Sequence, residues 1–124
     1  MKICISASAK NLDAIIDPRF GRAQGFLLVD TETMAYEYID NQAITARGGA
    51  GTQAAQLIAD KGAQAVLTGN VGPNAFHALS AAGIPIYVGL TGSAREAIEK
   101  FKQGLLKPVS SPSVSAHAGM GAKS

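Results

Sequence analysis

The sequence predicts an α/β domain with a five-stranded mixed sheet that is mostly parallel and carries helices on both faces. Apolar strand-like runs and amphipathic helical runs follow one another in the order βββαβαβα. Glycine-rich turns separate strands from the helices that follow, and the chain contains 14 glycines among 124 residues. Because crossovers between parallel strands are right-handed, the helices should cover both faces, and an initial hairpin should contribute one antiparallel strand.

The first part of the chain contains the hairpin. The predicted strands are Lys2–Ala7, Gly25–Asp30 and Tyr36–Asn41. The polar link Thr31–Thr33 is short enough to join the second and third strands as an antiparallel pair. A long polar connection, residues 8–24, follows the first strand, and Pro18 and Gly21 within it argue against a continuous helix.

The second part repeats a unit of strand, glycine loop and helix. The predicted helices are Gln53–Lys61, Asn74–Ala82 and a third from Ser93 to the residue before Gly104, and the strands between them are Ala65–Thr68 and Ile84–Val88. Pro73 is suited to the first position of the second helix. Ser93 and Glu96 have the spacing of a capping box at the start of the third.

The length fits one domain with a single core, which we place at residues 1–106. From Lys107 to Ser124 the chain is rich in Ser, Pro, Gly and Ala and has no apolar periodicity. Such a composition cannot bury enough apolar surface to fold independently. We therefore predict that residues 107–124 form a flexible tail.

Charge and hydropathy exclude several classes of partner. The formal net charge is only +2, and no cluster of Lys or Arg forms a basic stripe, so we expect no nucleic acid and no anionic membrane as partner. No run approaches the roughly 18 apolar residues of a spanning helix. The single cysteine agrees with a reducing compartment, and we expect a cytoplasmic protein.

The connections after four parallel strands should meet at the carboxyl edge of the sheet, where open α/β sheets bind their ligands. They contain glycines whose backbone amides are accessible, and the next helix adds positive charge at its N-terminus. The cations there are Arg19, Arg22 and Arg47, and the neutral polar residues are Asn70, Asn74 and Thr91. Such a lining suits an anionic ligand. The loop Arg47–Thr52 alone is equally compatible with a flexible turn that has Thr52 as helix N-cap.

Catalytic motifs are absent: the chain has no GxxxxGK[ST], GxSxG, CxxC or HExxH pattern, so we expect no enzyme activity. Asp13 and Asp17 lie in the long connection and could reach the pocket. A solvated loop or an Asx-turn is the interpretation that their position favours.

Four side chains are of types that could bind a soft metal. Cys4 lies within a strand, a position more typical of a small buried residue than of a cluster ligand. His77 falls on the surface of the second helix. His117 and Met120 lie three residues apart in the tail and could close over a soft metal, although the composition favours an unstructured segment.

Four stretches carry a resemblance to a known family: Arg19–Ala23, Gly48–Gly51, Gly69–Phe76 and Gly104–Leu106. In this order over one domain they resemble the dinitrogenase iron-molybdenum cofactor biosynthesis family. The resemblance implies a three-layer, ribonuclease H-like α/β/α domain with sheet order 3-2-1-4-5 and an antiparallel second strand. It also implies that the protein binds an iron-sulfur or iron-molybdenum cluster without catalysis, exchanges it with a metal-cluster donor or acceptor protein, and is a monomer or weak homodimer.

The candidate cofactor-binding residues combine the motifs with the pocket lining. They are Arg19, Phe20, Gly21, Arg22, Arg47, Gly48, Gly49, Gly51, Thr52, Asn70, Gly72 and Asn74, and the candidate metal ligands are Cys4, His117 and Met120. Two functions are compatible with this set. One is a carrier of a metal-sulfur cluster or its precursor, and the other is a binder of a small phosphorylated metabolite or nucleotide at the same glycine loops.

Overall fold

The computed structural model describes residues 1–42 and 49–113. Its strands are β1 (Lys2–Ala7), β2 (Gly25–Asp30), β3 (Tyr36–Asp40), β4 (Ala65–Leu67) and β5 (Ile86–Tyr87). Its helices are α1 (Ala50–Asp60), α2 (Pro73–Ala81) and α3 (Ala94–Lys102). None of the helices in these two ranges is long and apolar enough to cross a membrane.

The five strands form one mixed sheet in the order β3-β2-β1-β4-β5. Strand β2 runs antiparallel to both β1 and β3, whereas β1, β4 and β5 are parallel. The carboxyl ends of β1, β3, β4 and β5 therefore meet at one edge. The predicted fold class, strand order and single antiparallel strand are confirmed.

Alternation along β1 divides the core into two layers. Ile3 and Ile5 pack with Ala94 and Ile98 of α3 on one face of the sheet. Cys4 belongs to the cluster on the opposite face, which α1 and α2 cover. Both layers are closed to solvent because every β1 residue after Lys2 is buried, so the domain has three layers, with α1 and α2 on one side and α3 on the other.

Most predicted bounds differ from the observed ones by at most one residue, but two element starts were wrong by more than that. Helix α1 begins at Ala50, so Gly51 and Thr52 lie in its first turn rather than in a preceding loop. Strand β5 starts two residues later than predicted, because the Ile84 amide instead donates to the Leu79 carbonyl (2.9 Å) and closes the end of α2. Gly83, at φ 75°, makes this helix ending possible.

Part of the segment after residue 106 contacts the domain, and the flexibility predicted from Lys107 onward stays a prediction. Within 107–113, the Val109 amide donates to the Ile86 carbonyl (2.8 Å) and Ser113 hydrogen-bonds to Val71. These residues form no helix or strand. They lie against β5 and the connection between β4 and α2.

Candidate functional site

Three chain segments meet where β1, β3 and β4 end. The connection after β1 reaches the one after β4, because the Phe20 amide donates to the Asn70 carbonyl (3.2 Å) and Arg19 pairs with Asn70 as an isolated parallel bridge. Gly21 of the same connection touches Gly51 in the first turn of α1. We call the region formed by residues 17–22, 49–52 and 69–75 the carboxyl-edge site. It brings together most of the residues that the sequence predicted as ligand contacts.

Glycines at the carboxyl-edge site let backbones approach one another closely. A Cβ atom on Gly21 would lie 3.0 Å from the Gly51 Cα, and one on Gly51 would lie 3.1 Å from the Ala75 amide nitrogen. A Cβ atom on Gly69 would lie 2.6 Å from the Pro18 Cα. These glycines therefore pack the three segments together, a role that the sequence analysis did not separate from ligand contact.

Helices α1 and α2 start side by side, and neither has an N-cap side chain. Their N-cap residues are Gly49, at φ 72°, and Gly72, so Thr52 is not the N-cap that the sequence allowed. Helix α3 differs, because Ser93 Oγ accepts from the Glu96 amide (3.1 Å) while Glu96 Oε1 accepts from the Ser93 amide (3.0 Å). No side chain therefore caps the first-turn amides of α1 and α2, where the positive end of each helix dipole favours an anion.

Two arginines belong to the connection that meets these helix starts. Arg19 is exposed, and its Nε lies 3.8 Å from Oδ1 of Asp17, whose side chain is only 10% exposed. The same Asp17 oxygen accepts from the Arg19 amide (3.0 Å), which is the Asx-turn that the sequence favoured. Arg22 is also exposed. Arg47 and Gly48, predicted as contacts, lie outside the described residues.

Polar side chains at strand ends form hydrogen bonds that fix the backbone of the carboxyl-edge site. Ser6, near the end of β1, donates from Oγ to the Asp17 carbonyl (2.7 Å) and receives a hydrogen bond from Thr68 Oγ1 (2.7 Å). Asn41, after β3, donates from Nδ2 to the Gly21 carbonyl (3.1 Å). Sequence reasoning missed all three residues, although each is a polar residue at or just after the end of a strand.

Three residues that the sequence analysis placed at or near the pocket have side chains in other surroundings. Phe20 is only 1% exposed, and its ring packs against Phe26 at a centroid distance of 5.1 Å, so its side chain belongs to the core. Asp13 is exposed and pairs with Arg95 of α3 (Nε to Oδ1, 3.1 Å). Thr91 lines a groove of about 560 Å³ beside the same arginine.

Metal ligands are scarce in the described part of the chain. Cys4 has no exposed surface, so a metal could reach its thiol only if the sheet opened. His77 is exposed on α2, edge-on to Phe76. His117 and Met120 lie outside the described residues. Within 1–42 and 49–113, no three His, Cys, Asp or Glu side chains come together as a metal site.

Burial raises the pKa of the Cys4 thiol well above its ordinary value, so we expect the native protein to resist alkylation. Iodoacetamide at pH 8 should modify Cys4 only after unfolding, as mass spectrometry of native and guanidinium-treated samples will test. Modification of the native protein at the rate of the unfolded chain would show that the thiol is accessible.

The same pKa shift gives a pH dependence of stability. A raised folded-state pKa means that the contribution of Cys4 is fully present below the ordinary thiol pKa of about 8.5 and is lost as pH rises above it. The free energy of unfolding should therefore decline less between pH 8 and pH 11 in Cys4→Ala than in the wild type, as urea unfolding at each pH will measure. Parallel declines in the wild type and the variant would contradict the assignment.

Comparisons with known proteins agree with this geometry. Residues 1–104 match the family described as dinitrogenase iron-molybdenum cofactor. An uncharacterised protein of Methanocaldococcus jannaschii is 36% identical over 95 residues, which are 74% of this chain and 80% of that protein. The apo form of the orange protein from Desulfovibrio gigas is 46% identical with a TM-score of 0.88, covering 90% of this chain and 94% of its own. A Thermotoga protein of the DUF35 family is 34% identical with a TM-score of 0.75, covering 86% and 91%. The chain belongs to the dinitrogenase iron-molybdenum cofactor family.

Proposed function

We propose that this protein is a carrier of an anionic metal-sulfur cluster, of the iron-sulfur or iron-molybdenum type, or of its precursor. The observation that carries the proposal is the pair of adjacent, glycine-capped helix N-termini beside Arg19 and Arg22. Membership of the cofactor family supports it. So does the Desulfovibrio gigas relative, which is named for a colour and was solved in an apo form, as expected of a protein that carries a chromophoric group.

The donor set favours a cluster held without covalent ligands. Iron-sulfur clusters are usually fixed by cysteine thiolates, but the only cysteine of this chain is buried in the core. The described residues at the carboxyl-edge site offer backbone amides and guanidinium groups instead. Such groups donate hydrogen bonds to the surface sulfides of an anionic cluster and offset its charge. Binding of this kind is reversible, as a carrier requires.

The proposal includes transfer without catalysis. The carboxylate nearest the site, Asp17, accepts a hydrogen bond from the Arg19 amide and is nearly buried, so it holds the turn rather than facing a ligand as a base. Arg19, Asn70 and Asn74 are exposed, which leaves the site open to a second protein. The partner we propose is a metal-cluster donor or acceptor protein in the cytoplasm.

The test is anaerobic incubation of the protein with isolated iron-molybdenum cofactor, or with a cluster assembled from ferrous iron and sulfide, followed by gel filtration. We expect retained visible absorption and about one cluster per chain. Arg19→Gln should weaken binding by about tenfold or more, because a charge-assisted contact contributes about 1.5–3 kcal/mol. Arg95→Gln is the matched control, since Arg95 lies on α3 and pairs with Asp13.

Failure of both clusters to bind would contradict the proposal. The same amides would also accept phosphate, so the competing function is binding of a phosphorylated metabolite or nucleotide. That alternative predicts a rise in Tm with nucleotides or sugar phosphates, because a ligand of the native state stabilises it. Arg19→Gln should then reduce the rise, and Arg95→Gln should not.

A further inference from the structure

The segment after α3 contacts the carboxyl-edge site at Val71. We call residues 107–113 the strap. Its first anchor is Val109, whose amide donates to the Ile86 carbonyl (2.8 Å) and whose side chain packs on the core beneath α1 and α2. This anchor brings the chain along β5 toward the connection between β4 and α2.

The second anchor is Ser113, which satisfies both backbone polar groups of Val71. The Val71 amide donates to Ser113 Oγ (2.8 Å), and the Val71 carbonyl accepts from the Ser113 amide (3.0 Å) and from Ser113 Oγ (3.3 Å). Val71 itself is buried. A residue 42 positions away in sequence therefore fixes the orientation of this peptide.

Val71 lies between two groups that define the carboxyl-edge site. Asn70 precedes it, and the Asn70 carbonyl accepts from the Phe20 amide, which ties down the turn that carries Arg19. Gly72 follows it and is the N-cap of α2. A rotation of the Val71 peptide would therefore move the acceptor for the Phe20 amide and the first-turn amides of α2 together.

We propose that the strap is a latch coupled to the ligand site, so that docking of Ser113 on Val71 raises ligand affinity and bound ligand in turn holds the strap down. The part that concerns ligand rests on the proposed carrier function. Because such coupling is reciprocal, a protein that captures the undocked strap lowers ligand affinity by the same factor. The strap is thus the element through which an acceptor protein triggers release, and Ser113 is a positioning residue of the site.

The first experiment needs no ligand. Amide hydrogen exchange is measured for the wild type, Ser113→Ala and Ser110→Ala, the last being an exposed strap serine. Ser113→Ala should accelerate exchange at Val71 at least tenfold, since that amide loses its acceptor, and should also accelerate exchange at Phe20. Ser110→Ala should match the wild type. Unchanged exchange at Phe20 in Ser113→Ala would overturn the coupling, because the site would not sense the strap.

The second experiment measures affinity for isolated iron-molybdenum cofactor with the same three proteins. Ser113→Ala should bind roughly fivefold more weakly or worse, within the usual range of coupling between sites, and Ser110→Ala should be unaffected. Bound cofactor should slow exchange at Ser113 in the wild type. Equal affinities of the wild type and Ser113→Ala would contradict the proposed coupling. If the wild type binds neither the cofactor nor the cluster assembled from ferrous iron and sulfide, the carrier function fails, and the exchange result at Phe20 still decides whether strap and site are coupled.

Discussion

Gly69→Ala is expected to lower the free energy of unfolding by about 3 kcal/mol, the upper end of the cost of overpacking a tight interior. The new Cβ would lie 2.6 Å from the Pro18 Cα and 2.9 Å from the Pro18 carbonyl oxygen. Neither is a side-chain end that can swing away. Gly69 cannot retreat either, because its carbonyl accepts from the Gly89 amide (2.8 Å) on its other side.

Gly83→Ala is the matched control. Gly83 has a left-handed φ of 75° but no atom within 4 Å of an added Cβ, whereas Gly69 is crowded and has no left-handed φ. Strain alone should cost Gly83→Ala about 1 kcal/mol. Both variants add one methyl group. Their free energies of unfolding in urea therefore compare the cost of crowding with that of backbone strain. A Gly69→Ala loss no larger than that of Gly83→Ala would mean that the connections at residues 18 and 69 do not press together.

Local patterns predicted most of the fold. Lys2–Ala7 and Gly25–Asp30 were predicted with the bounds observed, because apolar runs flanked by turns are local signals. Pro73 at the first position of α2 and the Ser93–Glu96 capping box were also confirmed. The strand order followed from an initial hairpin and right-handed crossovers, together with the family resemblance.

The start of α1 was not predictable from local preference. Glycine is a poor helix former, so the pattern placed Gly51 in a loop before the helix. In the structure Gly51 lies in the first turn, and an added Cβ there would sit 3.2 Å from the Ala75 Cβ. Contact between the two helix starts outweighs propensity at this position. A single sequence does not reveal that contact.

The support of the carboxyl-edge site was missed for a related reason. Ser6 and Thr68 are 62 residues apart, and Ser113 and Val71 are 42 apart, so no local window contains either pair. The glycines were recognised, but a glycine that admits a neighbouring backbone and one that exposes its amide to a ligand have the same sequence signature. Packing identifies Gly21 and Gly51 as glycines of the first kind.

Gly72→Asp is expected to weaken binding of isolated iron-molybdenum cofactor at least tenfold while keeping the fold as stable as the wild type. Gly72 has φ −83° and ψ 175°, the extended conformation that Asp and Ser adopt at an N-cap. The new carboxylate would accept from the amide of Asn74 or Ala75 and occupy a donor that we assign to the cluster. Its charge would also repel an anionic ligand and, at a helix N-terminus, favour the fold by about 0.3–1 kcal/mol.

Gly72→Ser separates the two effects, because a hydroxyl caps the same amides without adding charge. We expect the serine variant to bind with an affinity between those of the wild type and Gly72→Asp, as titration of cofactor absorption will measure. Its free energy of unfolding in urea should be at least equal to that of the wild type. Weaker binding by a protein that is no less stable cannot be attributed to misfolding. Such a result would locate the ligand at the first turn of α2. Full affinity in Gly72→Asp would instead exclude these amides from the binding surface and leave the turn at Arg19 as the part to test.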